Sequence, residues 1–236
     1  MNFIYFMNNI LDQFTNDVTE INIRDMGIKG SLDFSKFTKL TKLDCSFNDI
    51  TSLNNLPNSL IELICSYNRI TSLDNLTDSL IELICYNNQI TSLNNLPNSL
   101  IKLYCGNNKI TSLDNLFSKG TETFSSEKGI PNSLIELHCP SNKISNLDNL
   151  PTSLIKLNCG HNNITSLDNL PNSLRELCCY SNEITNLDNL PYLINKLFCT
   201  NNKITSLDNL PNSVIDLKCD YTIKDYDKLM KKYNKQ

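Results

Sequence analysis

The sequence contains no alanine and no tryptophan, six glycines, three arginines and two histidines. Each scarcity narrows the field. No run approaches the ~18 apolar residues that a membrane-spanning helix needs. The opening MNFIYFMNNILDQF carries no basic stretch and no small-residue cleavage site, which argues against a signal peptide. Formal net charge is −4, so no basic stripe is available for a nucleic-acid surface. Close C-x₂-C pairs of the kind that hold zinc are absent. What fills the gap is asparagine, about one residue in six. Asn, Ile and Lys have A/T-rich codons, whereas the scarce Ala, Gly and Arg have G/C-rich ones. Bulk asparagine therefore reflects an A/T-rich genome before it reflects chemistry. Asparagine at a fixed period is different.

A period does run through the chain. Cys45, Cys65, Cys85 and Cys105 lie 20 residues apart, and Cys139, Cys159, Cys179, Cys199 and Cys219 resume the spacing. Around them the unit reads L-x-x-L-x-C-x-x-N-x-I-T-S-L-D-N-L-P-N-S, as in Leu60, Leu63, Cys65, Asn68, Ile70, Leu73 and Leu76. Ten units begin at Val18, Leu40, Leu60, Leu80, Leu100, Leu134, Leu154, Leu174, Ile194 and Val214, the last incomplete. The first is degenerate, with Met26 where asparagine is due. Fixed periods of this length mark solenoids.

In L-I-E-L-I-C, Leu63 and Cys65 point one way and Glu62 and Ile64 the other. One short strand per unit, entering from the same side each time, builds a parallel sheet. No unit closes a core alone, so neighbours must bury each other's leucine rows. The remaining half-unit is too short and too rich in Asn, Asp and Pro for a helix, which predicts an extended or turn-like return. The asparagine column, Asn48 to Asn202, suits a structural role: one amide both donates and accepts, and bridges its own turn to the adjacent coil.

The unit resembles the leucine-rich repeat, with Cys in the third leucine slot and an unusually short period, over roughly residues 18–223. L-P before the strand is similar to the repeats of secreted bacterial effectors. N-x-I-x-x-L is similar to internalin-type repeats. The Asn-rich, Ala-free version most resembles leucine-rich repeat proteins of giant DNA viruses that infect amoebae. The resemblance implies an α/β-type, mostly β solenoid: a horseshoe with a parallel concave sheet, an extended convex side and helical caps. It also implies a protein-binding concave face.

Three domains are expected: an N-terminal cap helix (1–17), the solenoid (18–223) and a C-terminal cap helix (224–236). Phe3, Phe6, Ile10 and Phe14 recur at helical spacing at one end, as do Tyr226, Leu229, Met230 and Tyr233 at the other. The surplus Phe117–Ile130 reads as an inserted loop, either neutral or partner-binding. The ten cysteines admit three readings: a disulfide framework, a metal site, or a row of small buried hydrophobes in a reducing compartment. The repeat spacing favours the last. Cys178 is out of phase and should face outward. No metal or cofactor site is expected.

The column facing away from the core reads Asn22, Asp44, Ile64, Ile84, Tyr104, His138, Asn158, Cys178, Phe198, Lys218. Core columns barely change, while this one changes at nearly every step, so maintenance of the repeat does not dictate it. Ile64, Ile84 and Tyr104 predict an apolar stripe, with Tyr86, Phe47 and Tyr67 nearby. Those six, with His138, Tyr180 and Phe198, are the candidate partner-binding residues. A Cys178/His138 dyad would span two units, roughly 9–10 Å, too long for a hydrogen bond. The reading is a non-enzymatic protein-interaction module: monomeric, intracellular in a reducing (cytoplasmic) compartment, in a host cell if viral, and binding no nucleic acid or membrane. The alternative is a structural, self-associating repeat protein.

Overall fold

A computed structural model describes residues 10–113, 131–223 and 226. Twelve strands follow along it: β1 (Glu20–Asn22), β2 (Lys29–Asp33), β3 (Lys42–Asp44), β4 (Asp49–Asn54), β5 (Glu62–Ile64), β6 (Glu82–Ile84), β7 (Lys102–Tyr104), β8 (Glu136–His138), β9 (Lys156–Asn158), β10 (Glu176–Cys178), β11 (Lys196–Phe198) and β12 (Asp216–Lys218). All except β2 and β4 form one ten-stranded parallel sheet in chain order. The expected solenoid is therefore present, one inner strand per unit.

Register never slips in this sheet. Leu43, Leu63, Leu83 and Leu103 pair in succession, as do Leu137, Leu157, Leu177, Leu197 and Leu217. The reason lies in the strand pattern: each central leucine is buried and both its neighbours face out. A one-residue slip would turn every leucine to solvent, forfeiting roughly 1.5–3 kcal/mol per side chain. The leucine and isoleucine rows and the nine periodic cysteines form one continuous core.

The asparagine column does what its chemistry predicts. From Asn48 to Asn202, each Oδ1 accepts the backbone N–H of an isoleucine in the preceding unit, from Ile28 to Ile184, at 2.9–3.1 Å. Each Nδ2 donates to carbonyls of its own strand end and the preceding one. Asn108, for example, reaches Cys85 O and Cys105 O at 3.1 and 3.0 Å. Groups that neighbouring strands cannot pair are thereby satisfied along the edge of the core, where Asn68, Asn88 and Asn182 are buried and the other five half-buried. Asp220 closes the series, accepting the backbone N–H groups of Asn201 and Asn202.

A second ladder sits where each unit re-enters the sheet. Ser59, Ser79, Ser99, Ser133, Ser153, Ser173 and Ser213 donate to the carbonyl of the residue that opens the preceding unit, Leu40 to Ile194, at 2.6–2.7 Å. Leu193 takes the serine position in the remaining unit.

The convex return is extended and turn-like, with no helix among its described residues. It turns on asparagines with positive φ, including Asn95, Asn169 and Asn189 (61–64°), a conformation Asn tolerates better than most side chains. Asn95, Asn169 and Asn189 also donate to Asp74, Asp148 and Asp168 of the preceding units. In the first two units the return is regular enough to form a second parallel sheet, β2 with β4. At the front, Ile10–Gln13 form a single 3₁₀ turn with Leu11 buried, and residues 1–9 of the expected cap helix lie outside the described residues. The insertion 117–130 lies outside them too. So does the second cap, apart from Tyr226, which packs partly buried on the core.

Candidate functional site

The outward positions of the inner strands line up as the alternation requires. Ile64, Ile84, Tyr104 and His138 occupy successive rungs of one column. Asn158, Cys178 and Phe198 continue it. All seven are half-buried, because each side chain leans on its neighbours along the sheet. The stripe is thus a packed surface, less exposed than single solvent-facing side chains.

Its centre is aromatic. Tyr86, just past β6, has its ring centroid 6.1 Å from that of Tyr104, and the Tyr104 ring lies 4.8 Å from His138. His138 Nε2 meets Glu136 Oε1 at 2.8 Å. Burial pushes the Tyr104 phenol up to about 12, and the charges of Glu136 and Glu82 add to the shift. Tyr86 is seated by a gap in the chain beside it: a β-carbon on Gly106 would stand 2.8 Å from its ring and 2.9 Å from Pro140. The same device recurs at Tyr180, whose ring crosses Gly160 and meets His161 edge-on at 5.1 Å.

Phe47 and Tyr67 form a separate group on the loop edge. Their rings stack at 4.2 Å and 15°, and the Arg24 guanidinium lies 4.3 Å above Phe47. Both are among the more exposed large side chains, at 39% and 48%. Both also hold positive φ, 58° and 55°, at a position where other units place Asn87, Asn107, Ser141, His161, Ser181 and Asn201. Left-handed backbone is costly for bulky side chains, so these two aromatics sit where their own backbone preference opposes them.

Phe198 stands apart from the central cluster. The ammonium groups of Lys196 and Lys218 both lie over its ring, at 4.7 and 4.3 Å. The column flanking the stripe neutralises itself: Lys42 pairs with Glu62, Lys102 with Glu82 and Lys156 with Glu176. Nine cysteines are buried and Cys178 is half-buried, all as free thiols. Desolvation raises Cys178 above the usual thiol range, which disfavours the nucleophilic thiolate. Cys178 and His138 sit on β10 and β8, with β9 between them. Among the described residues, no three His, Cys, Asp or Glu side chains are grouped to hold a metal ion. No helix among them is long and apolar enough to cross a membrane.

Sequence reasoning found the stripe but missed its supports. Arg24, Gly106, Gly160 and Lys218 act through contacts between units and Lys196 acts along its own strand, and no column pattern announces those contacts. One signal was available: with six glycines in the chain, two fall directly after a ladder cysteine.

One inner strand per 20-residue unit, a buried leucine row and an asparagine ladder define the leucine-rich repeat fold. Solved structures agree. YopM from Yersinia enterocolitica WA-314 superposes with a TM-score of 0.61 at 26% identity, over 88% of this chain and 50% of that one. An internalin, InlF from Listeria monocytogenes, gives 0.63 at 23%, over 82% and 61%. The functional domain of InlJ from L. monocytogenes, which includes a cysteine ladder, gives 0.56 at 26%, over 87% and 54%. The chain spans between half and about three-fifths of the length of these proteins. No family model matches the chain, and no curated protein matches it.

Proposed function

We propose that this chain is a non-enzymatic interaction module that grips a partner protein on its concave face. The observation that carries this reading is the row Ile64–Ile84–Tyr104–His138 with Tyr86, held in register on a face whose charges are largely paired among themselves. Apolar and aromatic side chains grouped inside a charged rim have the composition of an interface centre. The exposed stack of Phe47 and Tyr67 extends the surface toward the first units. Against catalysis stand the raised Cys178 thiol and the intervening strand between it and His138.

The reading takes the protein as a monomer that binds neither nucleic acid nor membrane, in a reducing intracellular compartment, the cytoplasm of a host cell if its source is a virus. Nine inward thiols support the compartment, since they fill core slots and need no pairing. The viral source rests on the Asn-rich, Ala-free repeat alone.

The test compares the intact protein with Ile84→Ser/Tyr104→Ala as bait in expressing cells, followed by titration of the purified captured protein. Loss of more than tenfold in affinity, with a folded double variant, supports the concave reading. Unchanged affinity moves the interface elsewhere. Concentration-dependent self-association that the double variant abolishes favours the structural alternative.

A further inference from the structure

The convex side carries a feature unrelated to the concave row. Between the second and third units a surface cavity of about 200 Å³ opens above the core. Its floor is Leu63, Cys65 and Ile70, and Leu53, Leu56 and Leu73 supply apolar walls. The cause is a mismatch between consecutive coils. The second unit stays extended through Asn54 because β4 pairs with β2, whereas the third turns at Asp74–Asn75. The third unit also has Thr77 where its neighbours have Pro57 and Pro97. Leu76 is left half-buried, while its counterpart one unit on, Leu96, is fully buried.

We propose that this cavity binds a small aromatic or branched aliphatic molecule bearing a hydrogen-bond donor at its outer end. The leucine walls suit one side of a ring, and the volume exceeds that of a cavity, about 150 Å³, that takes up benzene. The mouth suits a donor, because Thr51, Ser52, Thr71 and Ser72 surround it together with the Asp74 carboxylate. Hydrogen bonds from Ser72 and Asn95 hold the Asp74 carboxyl below the usual range, so the rim is negative at neutral pH. An amine or hydroxyl head is accepted there, and a carboxylate is repelled.

Indole, benzylamine and benzoate are the probes. The chain has no tryptophan, so indole emission is read without that background. Indole emission shifts to the blue on binding, and at roughly tenfold its Kd the melting temperature rises by about 3 °C. Benzylamine binds at least fivefold more tightly than benzoate. Leu76→Phe, which grows into the cavity, weakens indole binding at least tenfold. Methyl NMR of the native protein decides independently: indole moves Leu53, Ile70 and Leu73 and leaves Ile164 and Leu167 unmoved. No response to millimolar indole, equal movement of both methyl sets, or undiminished binding to folded Leu76→Phe overturns the proposal.

Discussion

The ring of Tyr86 lies across the backbone of Gly106, in the space a β-carbon would occupy. At Gly106 that atom would stand 2.8 Å from Cε1 of the tyrosine, with the rigid Pro140 ring 2.9 Å away on the other side. Gly106→Ala should therefore expel Tyr86 from its seat and loosen its contact with Tyr104. Overpacking of this kind costs about 1–3 kcal/mol, which a urea titration will read. Tyrosine ring resonances should shift at both Tyr86 and Tyr104. If only Tyr86 moves, the two rings are not mechanically linked.

Asn108 joins four backbone groups from two units. Asn108→Leu keeps the branched shape, though leucine is the larger side chain, and it strands the Ile90 N–H and removes the donor to Cys85 O, Cys105 O and Gly106 O. Unsatisfied buried polar groups cost about 1–3 kcal/mol each. A loss within that range is expected by denaturant unfolding, because leucine offers neither donor nor acceptor at this half-buried position. Lys109→Leu, one residue on and exposed, should change stability by less than about 0.5 kcal/mol.

The rows that repeat were legible for this reason. Leu63, Cys65 and Asn68 recur in unit after unit, and each recurrence repeats the same steric and hydrogen-bonding demand. The serine ladder was equally periodic, yet a hydroxyl beside a turn reads as ordinary loop composition until its carbonyl partner is seen. The convex sheet was not legible, because β2 belongs to the degenerate first unit. Nor were the ring contacts: whether Tyr86 meets Tyr104, or Phe198 is covered by lysines, depends on rotamers and on neighbours 20 residues away. The strained position before each ladder asparagine was half-visible, since Asn87, Asn107 and Asn201 hint at left-handed backbone where Phe47 and Tyr67 conceal it.

That position supports a third expectation. Phe47→Asn with Tyr67→Asn relieves two left-handed backbones, worth roughly 1 kcal/mol each, and forfeits one exposed stack worth about 0.5–1.5 kcal/mol. The variant should melt at or above the temperature of the parent. If the stack is an anchor for the partner, the same variant should bind less tightly. A fall in melting temperature of several degrees would make the stack structural and remove it from the interface.

The thiol row makes stability sharply dependent on alkaline pH. Burial raises every ladder thiol, with Cys65, Cys105 and Cys199 pushed up to about 12 and Cys45, Cys85, Cys139, Cys159, Cys179 and Cys219 also raised. The unfolded chain releases these protons near pH 8.5, and the folded chain holds them. Above that pH the native state binds more protons than the unfolded state, so stability falls as pH rises. It is fully present below about pH 8.5 and is lost as pH climbs toward the folded values. Each thiol that stays protonated in the fold while the unfolded chain ionises lowers stability as pH rises, and the losses of the row act in the same direction. Melting curves from pH 7 to 11 should hold steady and then drop steeply above pH 9. Lysine and tyrosine titrate in the same range, so Cys65→Val/Cys85→Val/Cys105→Val isolates the thiols and should make the drop shallower than in the parent. Thiol labelling supplies a second readout. At neutral pH the native protein should expose one slow thiol, Cys178, and the denatured protein all ten. An unchanged alkaline slope in the triple variant, or rapid native labelling of several thiols, would mean that the row is open to water.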